Sequence, residues 1–250
     1  MTKLKELYAA SIIACCCSIT AYADNYDLYG KLAVGSSFFA SDPTKYGDNG
    51  YLTDKKPKAS PSFGLGFGQI IDEHFRIEAM FWNLRKFHAQ QNTIPDVNFL
   101  ANTAGSYGTV AAPADMRYSV RSNALMFNGY YDFNNTNKFI PFVTIGIGLA
   151  NNQTKPYTIA ASNNNDLKYA YGGKSKNNFA YQLGAGVGYN LTDDFRVDCQ
   201  YNYMDLGKFE NGAMTYHQAD QELFRNDDLS AKSRLKTHNV FVSLAYQFSL

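Results

Sequence analysis

The sequence predicts an all-β fold, an eight-stranded antiparallel barrel that crosses a membrane with long extracellular loops and short periplasmic turns. Apolar side chains recur at every second position through about eight segments. A strand alternates its side chains between two faces, so each segment has one oily wall and one tolerant wall. The links between segments alternate in length, tight then long. Outside the N-terminus no uninterrupted apolar run reaches the about 18 residues that a helical span needs. A barrel in lipid exposes only alternate residues to acyl chains, so it is polar on average, and mean hydropathy here is negative.

Residues 1–23 read as an export signal rather than as fold. Lys3 and Lys5 precede an apolar stretch over 7–19, and Ala21-Tyr22-Ala23 fits the small-x-small cleavage rule. Ile12-Ile13-Ala14-Cys15 also fits a lipoprotein site, but Ala-Tyr-Ala is the cleaner match. Cleavage after Ala23 leaves 24–250 as the barrel domain and removes Cys15, Cys16 and Cys17. Cys199 is then the last thiol, with no disulfide and no cysteine metal site to join. It sits on the apolar parity of its strand, where a buried, inert thiol is expected.

The first strand spans about 26–39, with Leu28, Leu32, Val34 and Phe38 on the apolar side. The second (about 59–71) carries Phe63, Leu65 and Phe67; the third (about 74–87) carries Phe75, Ile77, Ala79 and Phe81. The fourth (about 117–133) has Leu125, Phe127, Tyr131 and Phe133, and the fifth (about 138–151) has Val143, Ile145, Ile147 and Leu149. The sixth (about 178–191) alternates through Phe179, Tyr181, Leu183, Ala185, Val187 and Tyr189. The seventh (about 194–206) does so through Phe195, Val197, Cys199, Tyr201 and Tyr203. In the last, Val240, Val242, Leu244, Tyr246 and Phe248 share one parity, and the aromatic end suits a membrane–water boundary. Tight turns fall at 72–74, 134–137 and 192–193; long polar links fall at about 40–58, 88–116, 152–177 and 208–233. Sorting of this kind is what a barrel in an outer membrane has.

The chain repeats at a spacing of 120 residues. Gly64, Gly66, Gly68 and Phe75-Arg76 return as Gly184, Gly186, Gly188 and Phe195-Arg196, and Glu78 returns as Asp198. The glycines keep period two in mid-strand with no helix following, unlike a nucleotide-binding fingerprint, so they are read as interior packing.

Arg76, Glu78, Arg196 and Asp198 lie on the interior parity, as do Lys31 and Tyr29. A charge facing lipid near mid-membrane costs roughly 2–4 kcal/mol, which directs these residues into the lumen. There they form either a plug of crossed ion pairs or a narrow ion path; an eight-stranded interior, just wide enough for side chains, favours the plug. His88, His217, His238 and Ser243 suggest no catalytic triad, because His238 and Ser243 occupy opposite parities of one strand. No metal set, cofactor or enzymatic activity is expected. Charged residues are 18% of the chain and the net charge is +1, with no basic cluster for nucleic acid. The third long loop is basic (Lys155, Lys168, Lys174, Lys176) and the fourth acidic (Glu210, Asp220, Glu222, Asp227, Asp228). Lys168, Lys174, Lys176, Asp227 and Asp228 are candidate contacts to a partner.

With the export segment, the two Phe-Arg-x-acid strands, the run from Gln182 to Tyr189 and the aromatic end on the page, the chain resembles the outer-membrane β-barrel superfamily. It is nearest the small eight-stranded group of OmpA-type barrels and opacity-type surface proteins. Its Asn-, Lys- and Tyr-rich composition is also similar to that of rickettsial surface adhesins. The resemblance implies a Gram-negative outer membrane as location, with membrane lipid and lipopolysaccharide as surroundings. It implies that Tyr246 and Phe248 belong to the signal read by the barrel-assembly machinery. It also implies a surface antigen or adhesin whose loops bind host surface or serum proteins. A narrow porin-like channel is the alternative, and a barrel hydrolase the third.

Overall fold

The computed structural model describes residues 27–40, 44–46, 50–52, 59–93, 114–133, 138–161, 164–218, 221–226 and 232–249. Its strands, in chain order, are β1 (Asp27–Ala40), β2 (Thr44–Tyr46), β3 (Gly50–Leu52), β4 (Ala59–Ile70), β5 (Phe75–Thr93), β6 (Ala114–Asp132) and β7 (Phe139–Thr154). They continue with β8 (Tyr157–Ala161), β9 (Asn164–Tyr171), β10 (Ser175–Asn190), β11 (Phe195–Glu210), β12 (Met214–Gln218), β13 (Gln221–Asn226) and β14 (Lys232–Ser249). The order β1-β4-β5-β6-β7-β10-β11-β14 closes on itself through β1–β14 pairing, giving an eight-stranded barrel. Every neighbouring pair in the barrel is antiparallel. No helix is found among the described residues.

Parity divides the walls. Leu32, Leu65, Ile145, Ile147, Leu149 and Phe179 are each more than half exposed and make an apolar outer band. The turn-side edge of that band is aromatic. Phe75 packs on Tyr131 at 5.1 Å, Phe139 on Tyr189 at 4.8 Å and Phe195 on Tyr246 at 4.9 Å, with Phe248 completing the belt beside Phe67 at 5.9 Å. Rings with one wet edge suit that boundary. Cys199 corrects the expectation of a buried thiol: its parity is the outward one, so it is exposed on the barrel wall. Apolar parity in this fold means facing lipid, not facing a core.

The repeat is a structural pseudo-two-fold. Ile71 N–H donates to the Phe75 carbonyl at 2.9 Å, and Leu191 N–H to that of Phe195 at 2.8 Å. Asp72 accepts from the His74 and Phe75 amides, and Thr192 from those of Asp194 and Phe195. Next door, Asp132 N–H donates to the His74 carbonyl and Gln247 N–H to that of Asp194. In each hairpin the repeated glycines face the large inward residues of the following strand: Gly68 opposite Glu78 and Gly64 opposite Trp82, Gly188 opposite Asp198 and Gly184 opposite Asn202. A Cβ on Gly64 would lie 2.4 Å from Met80 Cε and 2.6 Å from a Trp82 ring atom. Glycine here makes room for a neighbour.

The strands run well beyond the roughly 9–11 residues that span a bilayer. β5 and β6 have 19 residues each and β14 has 18. The last strand starts at Lys232, earlier than its apolar pattern reaches, because in water its outward positions turn polar (Arg234, Lys236, His238) while Leu235, Thr237 and Asn239 stay buried. The third and fourth long links contain strands of their own. β8, β9, β12 and β13 form a second sheet in the order β13-β12-β9-β8, with β9 and β12 joining the two links. At the β11 bulge, Gly207 takes a φ of 78°, a left-handed conformation that glycine adopts without strain.

Candidate functional site

The lumen is filled in two layers. On the turn side lies a six-charge cluster. Lys31 Nζ, from β1, is 3.2 Å from Glu78 Oε2 and 3.2 Å from Asp198 Oδ2. Arg76 makes a two-pronged contact with Asp132, Nε at 2.6 Å and Nη2 at 2.9 Å. Arg196 binds Asp132 at 3.1 Å and Asp198 at 2.7 Å. Three cations thus face three carboxylates. Glu78 also accepts from Tyr130 at 2.8 Å, Tyr29 at 3.2 Å and Asn128 at 3.2 Å. Arg76 stacks over the Tyr130 ring at 4.6 Å. All of these side chains except that of Arg196 are buried, and each buried charge faces an opposite one; Lys31, Arg76 and Glu78 also have a polar or aromatic cradle, as a dry interior demands.

The sequence-derived set Lys31, Arg76, Glu78, Arg196 and Asp198 therefore meets at one place. Asp132 and Tyr130 were missed. Both lie on the inward parity of β6, so the signal was present, but the acid stands at the strand end beside a turn and has no counterpart in the repeat. A vestibule of about 190 Å³ opens beneath the cluster, lined by Arg76, Arg196, Asp132, Tyr29, Asp193 and Gln247 among others.

Above the charges the lumen is mixed, with large apolar side chains standing among buried Ser62, Ser122, Gln200, Asn202, Thr237 and Asn239. Met80, Trp82, Leu84, Met126, Met204, Leu206, Phe209, Leu235 and Phe241 are buried together in one cluster. Trp82 stacks on Phe241 with ring centroids 4.1 Å apart. This layer was not read from the sequence, where apolar parity was assigned to lipid. On β5 both parities are apolar or amphipathic at this height, so hydrophobicity does not separate inside from outside.

At the loop end, Lys174 Nζ is 2.8 Å from Glu210 Oε2, and Lys176 pairs with the other oxygen of the same carboxylate. These two donors hold the Glu210 carboxyl at about 2, well below its ordinary value. The two lysines expected to touch a partner thus tie the third long link to the end of β11. Lys168 stands in β9 in register with His217 of β12. The side chains of Lys168 and His88, and Asp227 and Asp228 entirely, lie outside the described residues. His217 bonds to Thr215 at 3.0 Å, and His238 bonds to Tyr201 at 2.5 Å on the outer wall. No grouping of His, Cys, Asp and Glu among the described residues could hold a metal ion.

A family model described as "Outer membrane protein beta-barrel domain" matches residues 9–248. The chain belongs to that outer-membrane β-barrel family. It is therefore an outer-membrane protein of a Gram-negative bacterium. Outer membrane protein PagN of Salmonella typhimurium is 32% identical over 132 residues, which cover 45% of this chain and 49% of PagN. The chain thus spans about half the length of the curated relative it matches. Among solved structures, OprG of Pseudomonas aeruginosa is 15% identical, with 90% of this chain and 96% of that one covered and a TM-score of 0.46. Neisserial surface protein A is 11% identical, with 88% and 97% covered and a TM-score of 0.43.

Proposed function

We propose that this outer-membrane barrel is a non-enzymatic, adhesin-like surface protein that binds a host or extracellular protein through its loop sheet. Residues 1–23 act as its export signal, and Tyr246 and Phe248 as the mark read by the assembly machinery. Its wall is embedded in membrane lipid and, on the outer side, lipopolysaccharide, which gives it an envelope-structural role as well. The observation that carries the reading is the pairing of β9 with β12. Two long links are knit into one ordered sheet, and an ordered platform loses less conformational entropy on binding than free loops do. The filled lumen below favours this reading over the narrow channel.

The test is cell adhesion by a non-adherent bacterium displaying the protein, with and without residues 214–226. Loss of most binding, with the barrel still migrating as a folded band on unheated gels, is the expected result. Unchanged binding after removal of each long link in turn ends the adhesin reading. Steady conductance of porin size in planar bilayers replaces it with the channel.

A further inference from the structure

Four asparagines stand side by side on the outer wall. Asn83 of β5 is in register with Asn123 of β6, Asn123 with Asn151 of β7, and Asn151 with Asn177 of β10. Asn83 Nδ2 donates to Asn123 Oδ1 at 2.6 Å, and Asn151 Nδ2 to Asn177 Oδ1 at 2.5 Å. Directly below, in the same register, runs the row Phe81, Leu125, Leu149, Phe179, of which Phe81, Leu149 and Phe179 are 46%, 58% and 62% exposed. Directly above, Arg121 pairs in register with Gln153 and Gln153 with Ser175, and Arg85 stands at the same height on β5. Half the circumference thus changes from acyl-facing to amide to guanidinium within two side-chain steps, roughly 13 Å along the strands.

We propose that this wall is a binding site for a phosphorylated, carbohydrate-based lipid of the outer leaflet, of the lipid A class. Acyl chains lie on the aromatic and leucine row. Asn151 is fully engaged, by Ser175, Asn177 and Gln153, but Asn83, Asn123 and Asn177 keep hydrogen-bonding capacity to spare, which sugar hydroxyls and amides can take up. Arg85 and Arg121 bind the phosphates. Among the described residues neither guanidinium has a carboxylate: Arg85 lies 5.3 Å over the Phe63 ring, and Arg121 donates only through Nε, to Gln153 at 2.7 Å. Other rim cations are committed, Arg234 to Asp205 at 2.7 Å and Lys174 and Lys176 to Glu210. A planar fork left without an acid, at headgroup height, suits a phosphate. The opposite face, on β11 and β14, has no such ladder and carries Tyr201, Tyr203 and His238 instead.

The inference rests on the outer-membrane location and the lipopolysaccharide contact, not on adhesion, so it fails or stands apart from the cell-binding test. The experiment is native mass spectrometry of the whole barrel in detergent, titrated with hexa-acyl bisphosphorylated lipid A. Parallel arms use its dephosphorylated form, phosphatidylglycerol and inorganic phosphate. The wild type is expected to hold bisphosphorylated lipid A, and R85Q/R121Q to hold it about 30-fold more weakly, the scale of two cation contacts at an anionic surface. N123L/N151L, which lengthens the apolar band without touching the arginines, is expected to lose the preference for lipid A over phosphatidylglycerol. All variants are first checked for the folded band. Equal retention by wild type and R85Q/R121Q overturns the proposal, as does equal binding of phosphatidylglycerol or of dephosphorylated lipid A by the wild type. Displacement of lipid A by inorganic phosphate overturns the lipid assignment too, since the acyl row is then irrelevant.

Discussion

Glu78 and Asp198, 120 positions apart, each place a carboxylate oxygen 3.2 Å from the same Lys31 ammonium. Asp132 does the converse, pairing with the two repeated arginines, Arg76 and Arg196. The repeat duplicates acid and arginine alike, and two unrepeated residues, Lys31 and Asp132, complete the cluster. The repeated residues are neutral as a set, and Lys31 and Asp132 cancel each other while each bridges like charges from the two copies.

Replacing Lys31 with Met leaves two buried carboxylates facing each other. We expect a loss of about 3–5 kcal/mol, the cost of breaking a buried pair from one side. K31M/E78Q should recover most of it, because it removes one cation and one carboxylate and leaves Arg76 and Arg196 balanced by Asp132 and Asp198. Urea unfolding in micelles, followed by the fluorescence of Trp82, the chain's single tryptophan, measures both. Equal stability of K31M and wild type would show that the cluster is not a structural unit.

Two glycines should respond oppositely to alanine. A Cβ at Gly148 would lie 2.0 Å from the Leu125 carbonyl oxygen and 2.8 Å from Met126 Sδ, and a backbone oxygen in a paired strand cannot step aside. G148A is expected to cost roughly 1–3 kcal/mol. At Gly30 nothing lies within 4 Å of the added carbon, so G30A should be neutral or slightly stabilising. The same unfolding assay separates them; equal effects would contradict the packing account.

Opening the upper layer tests what seals the tube. W82A/F241A removes the stacked pair and should cost several kcal/mol, each large-to-small change being worth about 3–5 kcal/mol. It should also raise single-channel conductance above that of wild type, whereas K31M alone should not, because the upper layer is untouched. Conductance unchanged in W82A/F241A would mean that the charge layer alone closes the lumen.

How far the sequence disclosed this arrangement depended on whether a residue's neighbours differed from it. In the membrane the alternation of Val240, Val242 and Leu244 with Phe241, Ser243 and Ala245 is plain, and charges such as Arg76 could lie only inside. The upper lumen was hidden because Met80, Trp82 and Leu84 alternate with Phe81 and Asn83, so neither face is marked. The loop sheet was hidden for another reason. β9 and β12, with sequences NNDLKYAY and MTYHQ, are too short for an alternating stripe to stand out from the polar links around them. Asp132 was readable by parity alone and escaped because it has no repeat partner.

Glu210 gives the loop end a defined acid limit. Hydrogen bonds from Lys174 and Lys176 lower its carboxyl to about 2. A group whose folded value is depressed contributes stability that is present above its unfolded value, about 4.5, and lost as pH falls through the folded one. The clamp between the third long link and β11 should therefore hold at pH 5 and weaken progressively toward pH 2. Much of the site is exposed, so screening keeps the effect below about 1 kcal/mol. E210Q should mimic the acid state at neutral pH. Limited proteolysis by pepsin checks this across the window, read as the ratio of wild type to E210Q at each pH so that the protease's own pH dependence cancels. Cleavage in the link around Lys174 should be slower in wild type at pH 5 and approach that of E210Q toward pH 2. A parallel rise in both proteins would assign the acid sensitivity to a group other than Glu210.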